Sequence, residues 1–545
     1  MESPFQSILH TNSIPSDDER RRIHDLLAAL RTEVDQITQD IDRMQRKRDE
    51  LSDFMDAHLA LLSQARRMPD DIIQEIFKAS LPAHRPPTLS VDDAPLILFR
   101  ISQRWRSLAL STPYLWASLH LIPPPTPVGV ETSRLNQVND TVKHWLLRSG
   151  SLPLTISFVG RHSSSGASEG SEQDHDLDQG AFNASKTLLQ TLIQFASRWR
   201  CFRFVATPCV DLEPLEALSH GDVPMLRCVA IEGINFIDGL PLLATPTLTS
   251  LLARGTNLLF STPIHWEVLC HIQLGHYDPS PQALLNALSQ CSQLKSCILS
   301  VYLHDEDGNE PSCHLDQLQF LSIENRGSSS PTMTFLNCLR MPNLSFLKYS
   351  DQAAGANSLP IVPIFRSSPL LRCLILHVST MLQDTLLEVL TLATKLEDLT
   401  IGGEPMTPGW PPAYCSVVEA LTSNISGSGG ILCPNLRSLT ISDFRHLSDE
   451  ALVQFVLART DPERDTARLE QLKAYFARPP QIDIAIPLQQ HVEDGFRLRL
   501  LYLPPPPTFP SYSAQEGNSY YDEWDQSLVT WGNQYYDRDG NLMPY

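Results

Sequence analysis

The sequence predicts an α/β protein: a long N-terminal helix, then an all-helical module, then a solenoid of stacked strand-and-return units. Three observations predict it. Apolar residues recur at alternating three- and four-residue steps from Ile23 to Leu62. A proline-started stretch, RRMPDDIIQEIF at 66–77, is followed by the tryptophan- and arginine-rich RISQRWRSLALSTPYLW at 100–116. Strings of the form L-x-x-L-x-L then recur ten times between 199 and 441.

Bulk composition sets the frame. A chain of 545 residues has room for two to four domains. Its 42% hydrophobic and 19% charged residues fit a folded protein carrying some disordered sequence. A net charge of -20 disfavours a general polyanion-binding surface, so no nucleic-acid partner is expected. No basic start followed by an apolar run is visible at the N-terminus, and no window approaches about eighteen uncharged apolar residues. The expectation is therefore no membrane, and a place in the cytoplasm or nucleus. The 11 cysteines lack paired C-x-x-C spacing, and Cys228, Cys297 and Cys373 sit inside strand-like runs. They read as small buried hydrophobes, with no metal and no cofactor expected.

Along the chain, residues 1–19 read as flexible. Residues 20–64 form the long helix, its seam running Ile23, Leu27, Leu30, Val34, Ile37, Ile41, Met44, Leu51, Met55 and Leu62. At 1.5 Å per residue its forty or so residues span roughly 60 Å. A seam this narrow favours a coiled coil, either with a second copy or folded back on its own protein. Arg48 and His58 interrupt the seam. A helical module follows over 65–122, with the proline-rich LPAHRPPTLSVDDAP inside it. Residues 123–198 read as a linker with a helix, a strand and the polar loop RHSSSGASEGSEQDHDLDQG, which has nothing to bury and reads as disordered.

The repeats occupy 199–460. Their copies are WRCFRF at 199, LRCVAI at 226, LTSLLA at 248, LCHIQL at 269, LKSCIL at 294, LQFLSI at 318, LSFLKY at 344, LRCLIL at 371, LEDLTI at 396 and LRSLTI at 436. One such string arises by chance in any leucine-rich chain, but ten at a near-constant period do not. This is the leucine-rich-repeat signature: neither strand nor return can bury its apolar face alone, so units stack. With the first, fourth and sixth positions inward, the third and fifth point out. That places Phe320, Phe346, Lys348, Ile375 and Asp398 among the candidate substrate-facing residues. Their mixed character suits a protein surface better than a small metabolite.

After the repeats, HLSDEALVQFVLAR predicts a helix capped by Ser448 and covering the end of the solenoid. Residues 461–503 read as a C-terminal cap containing a strand-like QIDIAIPL and then FRLRLLYL. Residues 504–545, rich in proline, tyrosine and acid, read as a disordered tail.

In the helical module, Pro69 sits where a missing N–H costs nothing, and Asp70 and Asp71 lie at the positive end of the helix dipole. The pattern Leu62-Ser63-x-x-Arg66-Arg67-Met68-Pro69-x-x-Ile72-Ile73-x-x-Ile76-Phe77, continued by Ile101-Ser102-x-Arg104-Trp105-Arg106-Ser107-Leu108-Ala109 and Thr112-Pro113-x-Leu115-Trp116, resembles an F-box. With the long helix before it and irregular repeats after it, the chain is similar to F-box proteins of the expanded family in mushroom-forming (basidiomycete) fungi. It departs where that family commonly has Val-Cys, here Ile101-Ser102, and Pro-Ile, here Gln64-Ala65.

The resemblance implies the substrate-recognition subunit of a Skp1–cullin–F-box-type E3 ubiquitin ligase. Pro69, Ile72, Ile73, Ile76 and Phe77 would bind a Skp1-like adaptor and, through it, a cullin–RING ligase. Trp105, Leu108 and Trp116 would form the module's core, and the repeats would hold an unknown protein substrate. Such a subunit does no covalent chemistry and acts by proximity.

Two other readings stay open. One is a non-ligase leucine-rich-repeat recognition or scaffold protein. The other is an enzyme with a site formed by distant residues. Against an enzyme, ISGSGG at 425–430 lacks the Lys-Ser/Thr ending of a phosphate loop, and none of the 17 histidines falls in H-E-x-x-H spacing.

Overall fold

The computed structural model describes residues 3–83, 85–123, 132–160, 172–206, 210, 212–233, 240–255, 263–277, 280–303, 312–326, 329–351, 361–378, 383–402, 415–422, 432–442, 447–461, 466–476 and 478–502. The glycine run at 425–430, most of the polar loop before 172 and the tail lie outside these residues. The chain divides into two units, Met1–Ile76 and Phe77–Tyr545.

The first unit is built on helix α1, Asp17–Leu62, 46 residues long. It starts inside the stretch expected to be flexible, and the cause is a capping box. Glu19 N–H donates to the Ser16 hydroxyl at 3.4 Å, and Ser16 N–H donates to the Glu19 carboxylate at 2.8 Å. Acidic Asp17, Asp18 and Glu19 then occupy the first turn, where the helix dipole favours them. Helix α2, Asp70–Ser80, follows a 3-10 turn at Gln64–Arg67, and the unit boundary falls within it.

The second unit begins with the rest of the helical module: α3, Gln103–Leu110, and a 3-10 turn at Pro113–Trp116. From there a 14-stranded sheet runs to residue 502, every neighbouring pair parallel. It opens with β1 (Ser118–Leu121), α4 (Thr132–Arg148), β2 (Leu154–Val159) and α5 (Glu172–Ile193). Next come β3 (Trp199–Val205), α6 (Glu213–Glu216), β4 (Cys228–Glu232), β5 (Ser250–Arg254), β6 (His271–Tyr277), α7 (Pro281–Gln290) and β7 (Ser296–Val301). The short β8 (Cys313–His314) precedes β9 (Phe320–Asn325). The sequence continues with α8 (Ser329–Cys338), β10 (Leu339–Arg340), β11 (Phe346–Asp351), α9 (Val362–Ser367), β12 (Cys373–Val378), α10 (Gln383–Leu392) and β13 (Asp398–Gly402). It closes with α11 (Cys415–Thr422), β14 (Ser438–Ser442), α12 (Asp449–Thr460), β15 (Gln471–Phe476), α13 (Ala485–Glu493) and β16 (Arg497–Tyr502). β8 and β10 pair apart from the main sheet.

All ten L-x-x-L-x-L strings run into strands of this sheet, and their leucines are its core. Leu226, Leu321, Leu347, Leu374, Leu396 and Leu439 are all fully or almost fully buried. Each strand buries one row of side chains against the returns, and a parallel strand can reach its neighbour only by such a crossover. This is a leucine-rich-repeat solenoid.

Four expectations need correction. Residues 123–198 are not a linker: β2 pairs parallel with both β1 and β3, so the sheet starts at Ser118. Part of the polar loop, 172–180, belongs to α5. Helix α12 does not end the solenoid, because β15 and β16 extend the sheet beyond it. QIDIAIPL, expected as a strand, leads into helix α13. Asp483 accepts from Ala485 N–H at 3.1 Å, and Pro487 falls in the first turn, where it costs no helical bond.

Side-chain ties hold the irregular returns. The Arg459 guanidinium is buried and donates to the carbonyls of Leu421 at 3.0 Å, Cys433 at 3.0 Å and Leu432 at 2.5 Å. It thereby satisfies one carbonyl at the end of α11 that the helix leaves open, and two more just ahead of β14. Asp449 is fully buried; it accepts from Gln481 N–H at 2.7 Å and pairs with Arg478. Burial alone would push its carboxyl up, but those donors hold it below the usual range.

Candidate functional site

Helix α2 carries two apolar rows among its charged and polar residues, and only one of them is enclosed. Pro69 starts it, with Ile73 N–H donating to the Pro69 carbonyl at 3.1 Å. Ile73 and Phe77, four residues apart, are 0% exposed. Ile72 and Ile76 are exposed at 47% and 37%, and Pro69 is exposed as well. Positions 69, 72 and 76 follow helical spacing, so they form one stripe. Of the five residues assigned to adaptor contact, then, Pro69, Ile72 and Ile76 reach the surface, while Ile73 and Phe77 do not.

Phe77 meets Trp105 edge-on, ring centroids 5.1 Å apart. Trp105 and Leu108 are half-buried, whereas Trp116 is fully buried. The Trp116 indole donates to the Ala109 carbonyl at 2.9 Å and stacks edge-on against Trp145 at 4.8 Å. The Arg148 guanidinium covers its ring at 5.0 Å. Ser102 has a role its conservative appearance hid: its hydroxyl accepts from Trp105 N–H at 3.1 Å and caps α3. A residue without a good acceptor would lose that cap.

The outward positions of the repeats align in register across the sheet. In the third-position row, Phe320 stands beside Phe346, then Cys373, then Asp398. In the fifth-position row Ser322 is followed by Lys348, Ile375 and Thr400. Phe320 and Phe346 stack at 4.4 Å and 13°, and both are buried. They are closed off as contact residues in this structure. Lys348 and Ile375 are half-buried and Asp398 is exposed, so these three are the accessible members of the expected set. Although Asp398 is an exposed residue, partial desolvation of its carboxyl against the sheet pushes it above the usual range. The hydrogen bond from Ser438 opposes this, and Glu397 and Glu470 reinforce it.

The start of the same rows carries chemistry that motif reading passed over. Cys201 and Cys228 are register partners on β3 and β4. The hydrogen-bonded Cys228 thiol holds Cys201 below the usual thiol range. Burial opposes this, and the Arg200 guanidinium and the Thr155 hydroxyl add to it. The same pairing, with burial, pushes Cys228 up. Two positions beyond Cys201 on β3, Arg203 binds Glu232, which lies four positions beyond Cys228 on β4, at 2.8 Å, and Arg254 approaches Glu232 from β5 at 3.6 Å. Stacking the repeat strings on their leucines and reading down the columns shows the cysteine pair. Read one string at a time, it is invisible.

Among the described residues no group of three or more His, Cys, Asp or Glu side chains is placed to hold a metal ion. No helix among them is long and apolar enough to cross a membrane. No protein-family model matches the chain, and no curated protein matches it. Among solved structures 28 chains match. One is an internalin from Listeria monocytogenes str. 4b F2365, 12% identical, covering 74% of this chain and 90% of that one at a TM-score of 0.32. The repeat fold is defined by the strand register, not by this likeness.

Proposed function

We propose that the chain is the substrate-recognition subunit of a Skp1–cullin–F-box-type ubiquitin ligase. In this reading, helix α2 docks a Skp1-like adaptor and the outward rows of the sheet hold a protein substrate. One observation carries it. Helix α2 keeps Pro69, Ile72 and Ile76 in solvent, although a soluble protein gains by covering such a stripe. These are also residues of the stretch that resembles an F-box. Ile73 and Phe77 anchor the helix in this reading and do not touch the adaptor. The sheet contributes a broad, mixed surface of outward side chains, which fits a protein partner better than a small ligand.

The test is a titration of the full-length chain with the adaptor, beside an Ile72→Asp/Ile76→Asp variant. Both substituted positions are exposed, so the variant keeps its fold, which far-UV circular dichroism and thermal unfolding check. Binding by the wild type that falls at least about a hundredfold in the variant supports the reading. A folded wild type that does not bind would move the chain to the recognition or scaffold class without a ligase.

A further inference from the structure

We propose that helix α1 pairs with α1 of a second copy of this chain as an antiparallel two-stranded coiled coil. The register sets Ile41 opposite Met44 of the partner subunit. The observation behind it is an apolar seam left open along the helix: Val34, Ile41, Met44 and Leu51 are each exposed by half or more. A long helix draws most of its stability from a packed apolar face, so a seam in solvent calls for a partner. Steps of three and four residues without a break from Ile23 to Leu62 make that partner another helix with the same repeat.

The polar interruptions decide the orientation. Arg48 stands in the seam column of Val34 and Ile41, and His58 stands in the column of Ile37 and Met44. A parallel pair sets each column against itself, so Arg48 would face Arg48 of the partner subunit, like charge on like charge. An antiparallel pair crosses the columns. Val34 then faces Leu51 of the partner subunit, Ile37 faces Arg48 of the partner subunit, and His58 faces Leu27 of the partner subunit. Arg48 can lay its methylene stem along Ile37 and keep its guanidinium in water. In this one register the seam overlaps from Ile23 to Leu62 with no overhang.

Charge on the flank points the same way. Asp40 and Lys47 lie on one side of the seam. Crossing the helices brings Asp40 beside Lys47 of the partner subunit, and the two-fold axis makes that contact twice. A parallel pair would instead set Asp40 near Gln45 of the partner subunit. Asp40 also pairs with Arg43 of its own helix at 3.2 Å, but both are exposed, and such a pair is worth little. A shallow patch on α1, lined by Ile37, Asp40, Ile41, Met44, Gln45 and Arg48, coincides with the two-fold axis. In the dimer the two Leu62 ends lie at opposite ends of the coiled coil, about 60 Å apart. This pairing stands independently of the adaptor reading.

Sedimentation equilibrium of the full-length chain tests it. The wild type sediments as a dimer, and Ile41→Asp/Met44→Asp sediments as a monomer. Asp40→Lys and Lys47→Asp each weaken the dimer at least about fivefold, and the two together restore it. Restoration distinguishes the crossed arrangement, because a parallel pair never brings these residues together. A monomeric wild type, a dimer that survives Ile41→Asp/Met44→Asp, or a double charge swap that fails to recover the dimer would each overturn the proposal.

Discussion

Phe77 and Ile72 are five residues apart on one helix, yet burial assigns them opposite work. Phe77→Ala removes a fully enclosed ring and should cost about 3–5 kcal/mol of stability. Ile72→Asp alters a half-exposed side chain and should stay within about 1 kcal/mol. Chemical denaturation of the full chain checks the contrast; equal losses would mean that Ile72 is also core. His271 gives a pH-dependent expectation. Burial, then the charge of Lys295, pulls its imidazole down from 6.5 to about 4. The native ring therefore stays neutral in a pH range where the unfolded chain's ring takes up a proton. Stability conferred by the neutral ring is complete above about 6.5 and is lost as the pH falls towards 4. His271→Gln should flatten that part of the stability profile, and an unchanged slope would contradict the assignment.

At the scale of elements, strand exits need particular backbones. Gly233, just after β4, has φ of 111°, and an added Cβ would lie 2.1 Å from the Ala206 carbonyl oxygen. Gly255, just after β5, has φ of 70° with its Cβ position 2.7 Å from the Gly233 carbonyl oxygen. Gly233→Ala should therefore cost about 2 kcal/mol or more, through both the left-handed backbone and the clash with a neighbouring strand. Thermal unfolding checks it, and a neutral outcome would mean the exit relaxes freely. Elements also show where sequence is informative. The ten leucine strings were legible because each must fill the same inward positions. β1 and β15 escaped although WASLHL at 116 and LEQLKA at 469 fill the same inward positions, because each lies beyond the ends of the run of ten copies. QIDIAIPL misled because its alternating isoleucines imitate a strand, while Asp483 and Pro487 start a helix.

At the scale of the whole chain, the solenoid was legible and its ends were not. A middle repeat buries both sides against like neighbours, so its sequence is constrained. A terminal repeat has one neighbour, and its motif decays. The candidate site divides similarly. The apolar residues of α2 could be named from sequence, but which of them face solvent depends on packing that no local pattern encodes. The closing of Phe320 over Phe346 and the meeting of Cys201 with Cys228 depend on register between strands more than twenty residues apart in the chain.

The most direct measurement is hydrogen–deuterium exchange of the full-length chain with and without the Skp1-like adaptor. New protection is expected over residues 69–80, with the strands of the sheet unchanged. Protection confined to the sheet, or none anywhere at saturating adaptor, would contradict it.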